Sequence, residues 1–254
     1  MTGSGSLCIV GLGPGPADWL TPEAALALER ATDIVGYEAY VARVPQRPDQ
    51  QRHGSDNRDE MDRARRALAL ASEGSDVAVV SGGDPGVFAM AAAVFEAIEH
   101  GDPSWRILDI RVLPGISAMQ AAAARLGAPL GHDFCAISLS DNLKPWSIIE
   151  RRLIAAAEGD FVIAIYNPAS KARPARIHDA FGILRSRKAS TTPVAFARAI
   201  GRPDEYITLT TLGDADLSLV DMSTLVLIGS SETRLVARDH RRPWLLSPRS
   251  YGAK

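Results

Sequence analysis

The chain has 254 residues, 46% of them hydrophobic, enough for one large or two modest cores. A formal net charge of -2 offers no excess of positive charge for a nucleic-acid backbone, and no apolar run reaches the length of a membrane span, so neither partner is expected. The two cysteines, Cys8 and Cys135, fall in predicted strands and read as buried free thiols in a cytoplasmic setting; five scattered histidines lack metal-ligand spacing, so no metal is expected.

The start, Met1 to Ser6, has neither a basic nor an apolar segment and reads as carrying no secretory signal. Strands and helices then alternate. Strands are predicted near 7–11, 32–36, 76–81 and 108–113, and helices near 21–31, 59–73, 87–99 and 117–126. Thr21 can cap the first helix, with Pro22 and Glu23 opening it. The polar stretch 41–58 reads as a long loop. Gly127 to Asp133, with two glycines and a proline, reads as a boundary, which gives domains of 1–126 and 127–254. A second series follows: strands Phe134–Leu139, Phe161–Tyr166, Val194–Ala197, Tyr206–Thr211 and Thr224–Ile228, with helices near 146–157 and 174–187. Alternation implies parallel sheets covered by helices, and close spacing of the last three strands implies antiparallel pairing there. The expectation is two α/β domains with a cleft between them. The basic tail from Arg238 to Lys254 is expected to be poorly ordered at its end.

Three loops follow strands directly. The first is Gly11-Leu12-Gly13-Pro14-Gly15-Pro16. It fails as a dinucleotide fingerprint, because Pro16 stands where strand and helix need a third small residue. That disfavours a nucleotide-dependent oxidoreductase. The second is Gly82-Gly83-Asp84-Pro85-Gly86-Val87-Phe88, in which Asp84 could simply cap the next helix. The third is Pro114-Gly115-Ile116-Ser117-Ala118, with Ser117 at an N-cap position. No nucleophile elbow and no Cys/His pairing is present. A pure binding module would not need so many strand-end loops.

These three loops, with Ile165-Tyr166-Asn167-Pro168 and Thr192-Pro193-Val194-Ala195, resemble the tetrapyrrole (corrin/porphyrin) methylase family over nearly the whole chain, Leu7 to Ser231. Ile34-Val35-Gly36-Tyr37 with Tyr40, Asn167 to Arg173, and Ala199 to Glu205 are similar to the subgroup that methylates precorrin-3B at C-17 and contracts the ring in aerobic cobalamin synthesis. Other methylases of the same fold, acting on uroporphyrinogen or other precorrins, are the alternative. The resemblance implies the class III methyltransferase fold, S-adenosyl-L-methionine as cosubstrate and S-adenosylhomocysteine as product. It also implies a small-molecule tetrapyrrole as partner, and a homodimer is expected.

Carried over by this resemblance, the cosubstrate contacts would be Pro14, Gly82, Gly83, Asp84, Val87, Ser117, Ala118, Tyr166, Asn167, Ala199 and Ile228. The tetrapyrrole implied by the family bears many carboxylates, which suit guanidinium and ammonium groups. Substrate contacts are expected at Gly13, Gly15, Arg52, Arg58, Lys171 and Arg173, with Arg47 and Arg198 as further candidates. Methyl transfer itself needs positioning more than a covalent intermediate. Ring contraction asks for a proton acceptor, and Asp84, Asp141 and Tyr166, with His132 and Glu38 behind them, are chemically able.

Overall fold

The computed structural model describes residues 5–56, 59–169 and 174–252, which fall into two compact units, Met1–Ser117 and Ala118–Lys254. The boundary precedes the expected one: the helix Ala118–Leu126 groups with the second unit, not the first.

The first unit is a wholly parallel sheet of β1 (Ser6–Gly11), β2 (Asp33–Tyr37), β3 (Gln51–Ser55), β4 (Val77–Ser81) and β5 (Asp109–Leu113), in the order β3-β2-β4-β1-β5. Side chains alternate between faces along a strand. On β1, Leu7 and Ile9 join one core with α3 (Glu60–Ser72) and α4 (Met90–His100). Cys8 and Val10 join another with α1 (Pro22–Arg30) on the opposite face. Burial on both faces explains why β1 and β4 are unbroken apolar runs. Thr21 caps α1 as expected, its hydroxyl accepting the Ala24 amide at 3.2 Å.

Two boundaries differ from expectation. The stretch 41–58 is not wholly loop: a four-residue helix, α2 (Glu38–Val41), precedes it, and β3 lies within it as an edge strand. Being polar throughout, β3 carries no apolar period. Helix α4 starts at Met90, not near 87, because Phe88 takes a left-handed φ of 53° and Ala89 is extended.

The second unit holds α5 (Ala118–Leu126), β6 (Gly127–Ala128), β7 (Phe134–Ser138), α6 (Trp146–Glu158), β8 (Val162–Tyr166), α7 (Arg176–Arg185), β9 (Pro193–Arg198), β10 (Tyr206–Thr211) and β11 (Thr224–Ile228). Its five-stranded sheet runs β10-β9-β11-β8-β7 and is mixed. Only β7 and β8 are parallel; β11 runs antiparallel to both β8 and β9, and β10 antiparallel to β9. Ile149 and Leu153 of α6 and Ile177, Phe181 and Leu184 of α7 bury against Ile163, Ile165 and Phe196 of the sheet. The tail is tied down along much of its length: β12 (Arg234–Val236) and β13 (Trp244–Leu246) build a small sheet on β6, with Leu245 buried. The buried Ser247 hydroxyl meets that of Thr233 at 2.8 Å.

Candidate functional site

Because all five strands of the first unit are parallel, their carboxyl ends share one edge, and the three predicted loops leave β1, β4 and β5 side by side there. The loops are laced together by backbone. Gly13 and Gly83 exchange two amide–carbonyl bonds, at 3.1 and 3.0 Å, forming an isolated antiparallel bridge. Both glycines sit at positive φ, 64° and 73°, which other residues adopt only at a cost. A Cβ added at Gly115 would lie 2.4 Å from the Gly83 carbonyl oxygen, so only glycine permits this approach.

Asp84 is half-buried and serves these loops directly. Its Oδ1 accepts the Gly86 amide at 2.8 Å, and its Oδ2 accepts the Gly115 amide at 3.0 Å. It does not cap α4; the Met90 amide at that helix start donates to Ser81 Oγ instead, at 3.3 Å. Each carboxylate oxygen already takes one backbone hydrogen, and each keeps acceptor capacity for a cation. Pro14 is buried, Val87 is half-buried, and Ser117 is buried immediately before α5.

In the second unit, Ser138 and Tyr166 end β7 and β8, and Ala199 directly follows β9, at one edge of the sheet. The Tyr166 phenol accepts the Met119 amide at 3.1 Å, in the first turn of α5, beside Ala118. Asn167 (φ 50°) donates from Nδ2 to Ser138 Oγ at 2.9 Å, and the Ser140 amide also donates to that hydroxyl. Ala199 is buried and left-handed, φ 49°.

Ile228 is a correction. Its strand is antiparallel, so it pairs with Ile163 and Val194 at the opposite edge, three positions and about 10 Å from Tyr166 along the strand. On β11 the residue level with Arg198 is Thr224.

Arg52 is a second correction. Its guanidinium donates to the carbonyls of Val41, Val44 and Pro45, at 2.8 to 2.9 Å, and so works within its own unit. Arg47 donates to the Glu29 carbonyl, and Arg198 pairs with Asp204 and Asp221. Asp141 faces Arg176 at 2.9 Å, whose guanidinium also lies 4.6 Å from the centre of the Trp146 ring. A carboxylate clamped this way is poorly placed to collect a substrate proton. Gly15 is half-buried next to the Gly13 bridge. Arg58, Lys171 and Arg173 lie outside the described residues.

Three further residues stand at these loops. Phe88, on the second loop, holds an aromatic ring 49% exposed on left-handed backbone, a conformation uncommon for a bulky residue. Tyr40 packs its ring on Gly82, and Arg43 donates to carbonyls of the first loop. Tyr40 belongs to a motif apparent in the sequence, whereas Arg43 lies in the polar stretch 41–58, where no spacing marks it.

The family of Tetrapyrrole (Corrin/Porphyrin) Methylases matches residues 6–216. A Sinorhizobium protein named Precorrin-3B C(17)-methyltransferase is 56% identical over 248 residues, which cover 98% of each chain. The crystal structure of the methyltransferase CobJ superposes with a TM-score of 0.92 at 52% identity, covering 96% of this chain and all of that one. Uroporphyrin-III C-methyltransferase from Thermus thermophilus, complexed with S-adenosylhomocysteine, shares the fold at 22% identity and a TM-score of 0.66, over 89% of this chain and 97% of that one. A family match over most of the length, on a chain whose glycine loops close on one another at the strand ends, establishes that this chain belongs to the tetrapyrrole (corrin/porphyrin) methylase family.

Proposed function

We propose that this protein transfers the methyl group of S-adenosyl-L-methionine to C-17 of precorrin-3B, with contraction of the ring, to give precorrin-4. The observation that carries this reading is 56% identity, end to end, with a protein of that name. In the displacement, an electron pair of the macrocycle forms the new carbon–carbon bond while the sulfur keeps the pair of the bond that breaks. S-adenosylhomocysteine leaves, and the proton lost from the meso hydroxyl balances the acyl shift of ring contraction.

The first unit's loops fit the cosubstrate chemically. They offer backbone donors and acceptors at Gly82, Gly83 and Val87, a hydroxyl at Ser117, and one carboxylate, Asp84, to face a cationic ammonium or sulfonium. Asn167 and Ala199 stand as further candidates for the same ligand. The Gly13–Gly15 stretch is assigned to the tetrapyrrole, and Arg58, Lys171 and Arg173 to its carboxylates. Holding the two reactants in line is the protein's main contribution to rate.

Incubation of the purified protein with S-adenosylmethionine and precorrin-3B tests this. The expected result is a product heavier by one CH2, with S-adenosylhomocysteine formed in equal amount. Turnover of uroporphyrinogen III in place of precorrin-3B contradicts the substrate assignment.

A further inference from the structure

The segment from Tyr37 to Pro45 touches both glycine loops, yet nothing in the proposed chemistry uses it. Its centre is α2, whose turn continues past Val41: the Arg43 amide donates to the Tyr40 carbonyl and the Val44 amide to the Val41 carbonyl, at 3.0 and 3.1 Å. Tyr40 and Arg43 are therefore three apart on helical backbone and share a face.

Each meets a different loop. The Arg43 guanidinium reaches the first loop, where one nitrogen, Nη2, donates to the carbonyls of Leu12, Gly13 and Gly15 at 3.1, 2.9 and 3.3 Å. Those carbonyls point inward at a cation, which fixes the loop's direction of turn. The Tyr40 ring lies against the second loop: a Cβ on Gly82 would be 2.7 Å from its Cε1 and 2.8 Å from its Cζ. Tyr37 holds that ring from the side, edge to face, with centroids 5.3 Å apart. Arg52 in turn closes the segment by donating to the carbonyls of Val41, Val44 and Pro45. Four cationic or aromatic side chains are thus spent on one short helix and its two neighbouring loops.

We propose that Tyr40 and Arg43 are positioning residues, Arg43 setting the first loop for the tetrapyrrole and Tyr40 setting the second for S-adenosylmethionine. This rests on the assignment of the two loops to those two ligands. Arg43 and Tyr40 act through backbone they hold, not by touching a reactant. Their effects therefore separate by ligand, which a general loss of stability would not produce.

The test crosses two variants with two readouts. Arg43→Met raises the KM for precorrin-3B about tenfold, as expected for losing a charged donor to several acceptors, and leaves the Kd of S-adenosylhomocysteine within about twofold. Arg43→Lys restores much of the KM, since its ammonium can replace the single nitrogen that serves all three carbonyls. Tyr40→Ala weakens S-adenosylhomocysteine binding about fivefold or more by leaving a void beneath Gly82, and Tyr40→Phe recovers it. If Arg43→Met does not fold, the Tyr40 pair, read by calorimetry alone, still decides the matter. Unchanged constants in folded Arg43→Met or Tyr40→Ala overturn the proposal, and so does a lysine variant as impaired as the methionine. Wild-type protein that binds S-adenosylhomocysteine but ignores precorrin-3B would instead sink the substrate assignment and leave the Tyr40 arm intact.

Discussion

Asp84 accepts the Gly115 amide at 3.0 Å, although the strands that carry their loops, β4 and β5, are not neighbours; β1 lies between them. The bond crosses over the end of β1, where the Gly13–Gly83 bridge closes the same gap from the other loop. The carboxylate joins the loops after β4 and β5, and the backbone bridge adds the loop after β1.

Replacing Asp84 with alanine leaves two amides, of Gly86 and Gly115, without their acceptor. A loss of stability of about 1–3 kcal/mol is expected in denaturant unfolding, together with weaker S-adenosylhomocysteine binding. Asp84→Asn keeps an acceptor for one amide and should fall between the two. Wild-type ligand affinity in folded Asp84→Ala would confine the residue to the fold.

Glycine substitutions should divide sharply by place. Gly115→Ala puts a methyl group 2.4 Å from the Gly83 carbonyl oxygen, and backbone must move. Overpacking of this kind costs about 1–3 kcal/mol, and the distorted loop should lose ligand affinity. Gly182→Ala, in α7 with nothing within 4 Å of the new Cβ, should raise stability by up to about 1 kcal/mol. Thermal unfolding of the pair decides it; equal effects would contradict the packing account.

The buried Asp33 carboxylate gives a pH signature. Burial alone would raise its pKa, but hydrogen bonds from His53, Thr32 and Ser75, with the charge on His53, hold it below the ordinary value. His53 Nε2 stands 2.7 Å from Asp33 Oδ1 and joins β3 to β2. A lowered folded pKa means stability that is present above the unfolded value of about 3.9 and lost as pH falls through the folded one. The stability gap between wild type and Asp33→Asn should therefore be widest near neutrality and close below about pH 4. A gap that grows on acidification would contradict this.

The thiols should be unreactive while the protein is folded. Burial pushes Cys135 up to about 11, and burial also raises Cys8, with Arg111 only partly offsetting it. At pH 8 about one Cys135 in a thousand is then the reactive thiolate. Labelling with a chromogenic disulfide should be slow until denaturant is added; rapid labelling of the native protein would show that these strands open.

The parts of this fold that were legible in the sequence are those where physics leaves a periodic or compositional mark. β1 and β4 are buried on both faces and read as apolar runs; α1 announces itself with Thr21 and Pro22. β3 left no mark, because an edge strand of Gln, Arg, His, Gly and Ser has no buried face to display. The glycine loops were visible as candidates, but their purpose was only half visible. Gly83 and Gly115 are glycines because backbone meets backbone there, a fact of tertiary approach that no spacing encodes. Ile228 was misplaced for a related reason: a strand end belongs to one sheet edge or the other according to direction, and the antiparallel course of β11 is set by pairing. Arg52 looked like a carboxylate ligand because nothing in a sequence shows three carbonyls waiting for it.

Carbon NMR of the product formed from precorrin-3B and S-adenosylmethionine carrying a 13C-labelled methyl group reads the methylated carbon and the ring size together. One labelled methyl per macrocycle is expected, attached at C-17 of a ring-contracted product. Label at another carbon, or at C-17 of an uncontracted ring, would contradict it.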